Sequence, residues 1–208
     1  MIFSPGSESV SRLPPVFTLR RRLENRGDPD GRRVDMTDVP HRNPASSGGN
    51  AKPAIRIERL DTPDATAWQL IEEYYEAVQV VLRDSAASLQ QIIDEPGAGM
   101  WLAYLDDKAV GCVVLRRLDS IPSASECKRL YVRPEARGHH IAEALMAALE
   151  AHARSQGFNW VYLDTHDGLL PAIALYEKLG YESCARYNDN PQATVFFRKS
   201  IGTTNQVY

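Results

Sequence analysis

Residues Glu126 to Gly157, ECKRLYVRPEARGHHIAEALMAALEAHARSQG, decide the fold of this chain. The apolar run Leu130–Val132 is typical of a buried strand, and a short basic turn follows it over residues 133–140. Beyond the turn, apolar residues recur at the i, i+3, i+4 spacing of an amphipathic helix: Ile141, Ala144, Leu145, Ala148, Leu149 and His152. The stretch therefore predicts a strand, a basic loop and a long helix in direct succession.

The predicted loop has the features of an anion site. A helix N-terminus directs unpaired backbone N–H groups and the positive end of the helix dipole at one point, which is an arrangement that binds phosphate. Gly138 suits close approach of a ligand, because it has no Cβ to hold an anion away from the amides. The alternative is an ordinary connection between a strand and a helix.

Two segments carry a resemblance to a known family. Arg137–Ala142, RGHHIA, resembles the acyl-CoA pyrophosphate loop of the GNAT superfamily of N-acetyltransferases, with the pattern Q/R-x-x-G-x-G/A. His140 departs from it, because it stands where the inner glycine is expected. Downstream, Ala172–Tyr181, AIALYEKLGY, is similar to the family segment A-x-x-L-Y-E-K-L-G-F. The resemblance covers about residues 54–200.

The resemblance implies a co-substrate and the residues that bind it. Family members use acetyl-CoA, so the main chain of Leu130, Tyr131 and Val132 is expected to pair with the pantetheine arm like an added strand. The pyrophosphate is expected on the loop residues Arg137, Gly138, His139, His140, Ile141 and Ala142. Family members often have asparagine where this chain has Leu169, so Thr165 or His166 is expected to replace that contact.

The resemblance also implies two catalytic residues. Tyr176 matches the family's general acid, which protonates the departing thiolate; the alternative is core packing. Glu126 lies where several family members carry a carboxylate base; the alternative is a solvent-facing residue or an ion pair with Lys128 or Arg129. A base matters because an alkyl amine with a pKa of ~10.4 is largely protonated at neutral pH.

Acceptor-binding residues are expected on both sides of the predicted cleft. The helices that follow the first strand border the acceptor pocket in the family, so Tyr74 or Tyr75 is a candidate contact, against the alternative of a core stripe. Tyr187 and Asn188 are further candidates, although Asn188–Pro191, NDNP, also suits an ordinary turn. Adjacent His139 and His140 are not predicted to bind a metal ion, because neighbouring histidines do not easily direct both rings at one ion.

The remaining sequence predicts an α/β domain with a mixed, mostly antiparallel sheet of six or seven strands flanked by helices. Strands are expected at 54–60, 100–104, 110–115, 130–132, 160–165, 181–185 and 194–198. A first helix is expected to begin with Thr62 as its cap and Pro63 as its first residue, with an apolar stripe reaching Leu82. A second helix is expected over Ser85–Asp94, and Gly111 indicates a bulge or a close backbone approach.

Composition bounds the rest of the interpretation. The chain has 208 residues and a formal net charge of −3, which does not favour a nucleic-acid partner. Its three cysteines follow no metal or disulfide spacing, so a reducing cytoplasm is the expected setting. No apolar run approaches the ~20 residues of a membrane span. Residues 1–52 are predicted to be disordered, with Met36 as an alternative start; residues 53–200 form the domain and 201–208 a loose tail.

The predicted function is acetyl transfer from acetyl-CoA to a primary amine of a small molecule or an amino-acid-like acceptor. Two alternatives remain from the sequence: a non-catalytic acyl-CoA-binding module, and acetylation of protein N-termini or lysines. A homodimer is also expected from the resemblance.

Overall fold

The computed structural model describes residues 53–202. The predictions for residues 1–52 and for residues 203–208 lie outside this range. One seven-stranded sheet organises the described residues. Listed in the order in which they lie side by side, its strands are β1 Ile55–Leu60, β2 Gly99–Leu105, β3 Lys108–Arg117, β4 Ala124–Val132, β5 Trp160–Thr165, β7 Val195–Ser200 and β6 Glu182–Ser183. All neighbouring strands are antiparallel except β4 and β5, which are parallel. The predicted mixed, mostly antiparallel sheet is confirmed.

Four α-helices connect some of these strands along the chain: two follow the first strand, one follows the fourth and one follows the fifth. The helices are α1 Ala65–Ala77, α2 Ala86–Asp94, α3 Ile141–Ser155 and α4 Leu170–Lys178, with a 3₁₀ turn over Pro134–Ala136. No helix among these is long and apolar enough to cross a bilayer.

Helices cover both faces of the sheet. Leu145, Met146 and Leu149 of α3 pack on one face together with residues of α4. Leu70 and Ile71 of α1 pack on the other face together with residues of α2. The apolar periodicity of α3 therefore produces the burial that the sequence predicted, and Gly157 follows its last turn with a φ of 81°.

The first helix differs from its prediction at both ends. Asp64, and not Thr62, caps α1, because its Oδ1 accepts a hydrogen bond of 2.8 Å from the N–H of Ala67. The helix ends at Ala77, so the predicted stripe to Leu82 is wrong beyond that point. Leu82 lies in the following loop with 78% of its surface exposed. The second helix begins as expected, with Ser85 in a capping box.

Two irregularities shape the central strands. At Gly111 the register with β2 shifts, and an added Cβ would lie 2.6 Å from the carbonyl oxygen of Tyr131, so both the predicted bulge and the close approach are present. In β4, Arg129 has a φ of 56° at a second register shift, against β3. Beyond the pair Glu126–Tyr162, β4 and β5 no longer pair, and the two strands separate.

The end of the domain extends further than predicted. Ile201, which the sequence assigned to a loose tail, is 4% exposed, and its N–H donates to the carbonyl of Asn159. Its own carbonyl accepts from Arg154 at 2.8 Å. The strand predicted over 181–185 is only two residues long, because Tyr181 instead turns into the core, where its hydroxyl donates to Glu150.

His152 predicts a pH dependence of folding. Burial, followed by the charge of Arg59, lowers the pKa of His152, whose Nε2 is buried without a hydrogen-bond partner among residues 53–202. The unfolded chain, with a reference pKa of ~6.5, therefore binds more protons than the folded one, and stability falls as pH drops through that value. Thermal denaturation between about pH 7.5 and pH 5.5 tests this expectation.

The control for His152 is a pair of variants. The rings of His152 and Trp101 pack edge-on with their centroids 5.1 Å apart. His152→Phe keeps an aromatic ring in this place and is expected to flatten the pH dependence of stability. His139→Gln, at an exposed loop position, is expected to leave it as in the wild type. Equal pH slopes in wild type and His152→Phe would contradict the assignment.

Candidate active site

A cleft of about 1000 Å³ opens where β4 and β5 separate. Residues 127–132 of β4 form one side, and residues 164–166 at the end of β5 form another. The loop before α3 and the first half of α4 close one end of the cleft. The loop after α1 and residues 190–193 before β7 close the other end. The separation of the two strands thus creates the site.

The loop before α3 presents unpaired donors to this cleft. The N–H groups of residues 138–142 make no hydrogen bond to another described residue. Gly138 has a φ of 84°, and a Cβ there would have nothing within 4 Å, so open space lies in front of the loop. His140 also adopts the left-handed conformation, with a φ of 58°. The backbone therefore takes at His140 a conformation that glycine adopts more readily than other residues.

A charged group stands beside these donors. The Glu143 carboxylate, in the first turn of α3, accepts from His140 at 3.0 Å and from Lys178 at 3.1 Å. The hydrogen bond from His140 is the main cause that lowers the pKa of Glu143 to about 2. Glu143 therefore stays ionised and holds two cationic or polar side chains at the rim of the loop.

Tyr176 lies on α4 and lines the cleft. Its ring packs against Tyr181 and Phe197, each with a centroid distance of 6.0 Å. Its hydroxyl makes no hydrogen bond to another residue in the described part of the chain. Burial, and then Cys127, raises the pKa of Tyr176 well above its ordinary value, so the phenol keeps its proton at neutral pH.

At the point where β4 and β5 separate, one lysine joins a carboxylate of each strand: Glu126 on β4 and Asp164 on β5. Lys128 Nζ lies 3.1 Å from Glu126 Oε1 and 3.1 Å from both oxygens of Asp164. Asn188 also donates to both carboxylates, at 2.9 Å and 2.6 Å. Burial acts to raise the pKa of Asp164, but Lys128, Asn188 and Asn190 act against it and the net effect lowers the pKa.

Glu126 and Asp164 differ in access to the cleft. Asp164 lines it, whereas Glu126 is 0% exposed and is not among the lining residues. Glu126 accepts from Arg116 at 2.5 Å and from the Tyr187 hydroxyl at 2.8 Å, in addition to Lys128 and Asn188. The predicted base is thus surrounded by donors of the protein, and the cleft-facing carboxylate is Asp164.

At the far end of the cleft, Tyr75 helps to fix the loop after α1. Its hydroxyl donates to Asp84 Oδ2 at 2.6 Å and accepts from the N–H of Asp84 at 3.1 Å. Arg129 pairs with the same carboxylate. Tyr74 also lines the cleft, and burial raises its pKa to about 12. Tyr75 therefore has a structural role in addition to its place in the lining.

The structure brings most of the predicted site residues to this cleft. The predicted residues that line it are Tyr75, Leu130, Tyr131, Val132, Arg137, Gly138, His140, Ile141, Ala142, Thr165 and Tyr176. Four do not line it: Glu126, His139, Tyr187 and Asn188. Tyr187 instead donates to Glu126, and Asn188 donates to Glu126 and Asp164. Burial, followed by Glu126, raises the pKa of Tyr187.

Sequence reasoning missed several lining residues. Asp164 and Lys128 carry the charges nearest the strand separation, and residues 78, 80–82 and 190–193 form the far wall. A signal for Asp164 was present, because a carboxylate at the end of an otherwise apolar strand is exposed to the space beyond that strand. The wall residues carried no such signal, since they belong to loops whose position depends on tertiary contacts.

Comparison with known proteins gives the family. Residues 60–181 match the model of the acetyltransferase (GNAT) family, and the chain belongs to that family. It is 31% identical over 144 residues to an uncharacterised N-acetyltransferase of Schizosaccharomyces pombe, covering 63% of this chain and 88% of that protein. Several other curated relatives are matched over only about half of their own length. The class of enzyme is N-acyltransferase.

Solved structures agree on the fold. A GNAT-family acetyltransferase from Staphylococcus aureus Mu50 superposes with a TM-score of 0.62 at 19% identity, over 71% of this chain and 99% of that one. A ribosomal-protein-alanine N-acetyltransferase from Brucella melitensis superposes with a TM-score of 0.55 at 21% identity, over 70% of this chain and 99% of that one. The neighbours thus include an enzyme named for a protein acceptor, and the fold alone does not decide the acceptor.

The charge arrangement predicts the effect of neutralising Glu126. Glu126→Gln removes the anion that Arg116 and Lys128 share and places an amide donor among other donors. Breaking a buried ion pair typically costs about 3 kcal/mol of stability. Urea denaturation is expected to show a loss of this order. Glu182→Gln, in an exposed pair with Arg198, is the matched control and is expected to change stability little. A stable Glu126→Gln protein would contradict the structural role.

Proposed function

We propose that this protein is an acetyl-CoA-dependent N-acetyltransferase that acts on a primary amine of a small molecule. The observation that carries the proposal is the cleft itself, which joins a loop of free N–H groups to the protonated phenol of Tyr176 and to the Asp164 carboxylate. Membership of the acetyltransferase family supports the reaction class. The co-substrate and the acceptor are the parts that need experiment.

The residues fit an acyl-CoA. The N–H groups of residues 138–142, at the positive end of α3, suit a diphosphate, and Arg137 adds a cation beside them. Leu130 and Val132 lie in the part of β4 that β5 leaves unpaired, and this edge suits an extended amide-containing arm. The Val132 carbonyl accepts a hydrogen bond of 3.4 Å from Arg137 Nε. When bound, acetyl-CoA supplies the activated acetyl group as a thioester.

Tyr176 is the proposed general acid. It donates its proton to the departing sulfur, which prevents a free thiolate in a dry part of the cleft. In bulk water this transfer is uphill, since the reference pKa of a phenol is ~10 and that of a thiol ~8.5. The position of Tyr176 within the lining is what favours it.

The two carboxylates take different roles in this proposal. Asp164 is ionised and faces the cleft, so it receives the ammonium group of the acceptor and orients the nitrogen. Glu126 is a positioning residue, because it holds Lys128 and Asn188, which in turn hold Asp164. One ammonium proton leaves through water at the mouth of the cleft before the nitrogen attacks. The second is lost from the nitrogen after the N–C bond forms and, through water, restores the proton that Tyr176 gave to the sulfur.

A small acceptor is favoured over a protein by the closure of the far end. Gln192 bridges the loop after α1 to the segment before β7, so that these two segments are joined at the far end of the cleft. Release of free thiol from acetyl-CoA in the presence of simple amines, compared with short peptides, tests the choice. Faster acetylation of peptide N-termini than of any simple amine would overturn the small-molecule assignment. The homodimer remains a prediction.

Tyr176→Phe tests the general acid. The variant is expected to lower kcat by about tenfold or more, with little change in the KM for acetyl-CoA. Its stability is expected to change little, because the Tyr176 hydroxyl has no hydrogen bond to lose. Steady-state thiol release measures the first effect and thermal denaturation the second.

Tyr181→Phe is the matched control for Tyr176→Phe. The Tyr181 hydroxyl donates to the buried Glu150 carboxylate at 3.1 Å, so its removal is expected to cost about 1 kcal/mol of stability. Turnover is expected to stay close to that of the wild type. Unchanged kcat in Tyr176→Phe would remove the proposed role.

Gly138→Ala tests the loop. Alanine at a φ of 84° is strained by about 1 kcal/mol, and its methyl group would project into the open space before the N–H groups. Gly157→Ala carries a similar strain at a φ of 81°, again with nothing within 4 Å of its Cβ, but lies after α3. Both variants are expected to lose similar stability.

Only Gly138→Ala is expected to bind CoA more weakly, by about tenfold, which corresponds to about 1.4 kcal/mol. Isothermal titration calorimetry with CoA measures the difference. Equal CoA affinity in the two glycine variants would show that the diphosphate does not bind at this loop.

A further inference from the structure

We infer that the far end of the cleft selects a small primary amine with an apolar, uncharged substituent, and that Gln192 holds the wall that makes this selection. The inference rests on the proposed function, because it names the class of amine that the same cleft accepts. It follows from three features of the far end: its apolar wall, the link that fixes this wall, and the pairing of every charge that lines it.

Apolar side chains form this wall. We define the apolar wall as Val78, Val80, Val81, Leu82, Pro191 and Ala193, all of which line the cleft. Val81 and Leu82 are 76% and 78% exposed, and together with Ile55 and Leu170 they are the exposed large hydrophobic residues of the described range. Adjacent exposed apolar residues on a cleft gain free energy when an apolar ligand covers them.

One side chain links the two halves of the wall. Gln192 Oε1 accepts from the N–H of Val81 at 3.0 Å, and its Nε2 donates to the carbonyl of Gln79 at 3.1 Å. Gln79 itself has a φ of 52°, a conformation that costs free energy for a residue other than glycine. The two hydrogen bonds therefore hold a loop whose backbone does not favour its shape by itself.

The ends of the same loop are fixed independently of Gln192. At its start, the N–H of Val80 donates to the carbonyl of Tyr75 at 2.9 Å. At its end, Asp84 is bonded to the Tyr75 hydroxyl and to Arg129. Removal of the Gln192 side chain thus releases Val81 and Leu82 in the middle of the loop, while the two ends stay in place.

The charges near the wall already have partners. Asp84 pairs with Arg129, and Lys128 lies between Glu126 and Asp164. A second carboxylate or ammonium on the acceptor would bring an unpaired charge against the apolar wall, which costs free energy. An alkyl or aryl substituent instead gains about 0.8 kcal/mol for each buried methylene. The acceptor nitrogen then lies towards Asp164 and its substituent towards the wall.

A matched series of amines tests this selection. The compounds n-butylamine, 4-amino-1-butanol, 4-aminobutyrate and 1,4-diaminobutane share one carbon chain and differ only at the far end, and 2-phenylethylamine adds a larger apolar group. Thiol release by the wild-type full chain is expected to give kcat/KM for the two apolar amines at least about tenfold above the other three. The acetylated products are identified by mass spectrometry.

Two wall variants test the residues. Gln192→Ala is expected to raise the KM for n-butylamine about fivefold, without a matching rise in the KM for acetyl-CoA, and to reduce the discrimination against 4-amino-1-butanol. Leu82→Ser is expected to reduce the same discrimination. Gln156→Ala, at the exposed end of α3, is the matched control and is expected to retain it. A similar KM for n-butylamine in wild type and Gln192→Ala would overturn the role of Gln192.

The outcomes separate this inference from the proposed function. If the protein neither binds CoA saturably nor consumes acetyl-CoA, the proposed function is wrong. Consumption of acetyl-CoA with equal use of n-butylamine, 4-aminobutyrate and 1,4-diaminobutane would overturn only the selection. Saturable CoA binding with no turnover of either apolar amine would also overturn the selection.

Discussion

The site depends on the separation of two parallel strands and on the lysine that spans the gap. β4 and β5 pair only as far as Glu126 and Tyr162, and Lys128 then joins the carboxylates of Glu126 and Asp164 across the opening. Without this cation, two neighbouring anions with little access to water would repel each other. The ion bridge thus allows an opening in the middle of a sheet, where continuous pairing would otherwise close it.

The opening gives the two ends of the cleft different chemistry. Backbone donors and a helix dipole dominate the end near α3, which suits a phosphate-bearing co-substrate. Apolar side chains dominate the other end, where Gln192 ties the loop after α1 to the segment before β7. Tyr176 and Asp164 lie in the same lining, and so the proposed transfer takes place between an end that recognises charge and an end that excludes it.

His140 shows how a departure from a sequence pattern is absorbed. The loop requires the left-handed conformation at this position, and histidine adopts it with its Nδ1 bonded to Glu143. Histidine therefore stands in a conformation that glycine adopts more readily, and the N–H groups of residues 138–142 stay without partners among the described residues. Glu126 is the opposite case, since its position in the strand matches the expectation while its surroundings do not favour the expected role.

The sequence by itself determined the order of the elements, the loop with its free donors and the long helix, because periodicity and glycine positions act over a few residues. Tyr176 was indicated by the resemblance of residues 172–181 to a family segment. The sequence did not determine which carboxylate reaches the cleft. Glu126 and Asp164 both lie at strand positions, and tertiary contacts decided which of them reaches the cleft. Glu126, paired with Arg116, is fully buried, whereas Asp164 near the end of β5 lines the cleft with a side chain that is 7% exposed. The apolar wall was likewise decided by tertiary structure, because Gln192 meets Gln79 and Val81 through contacts that no local pattern encodes.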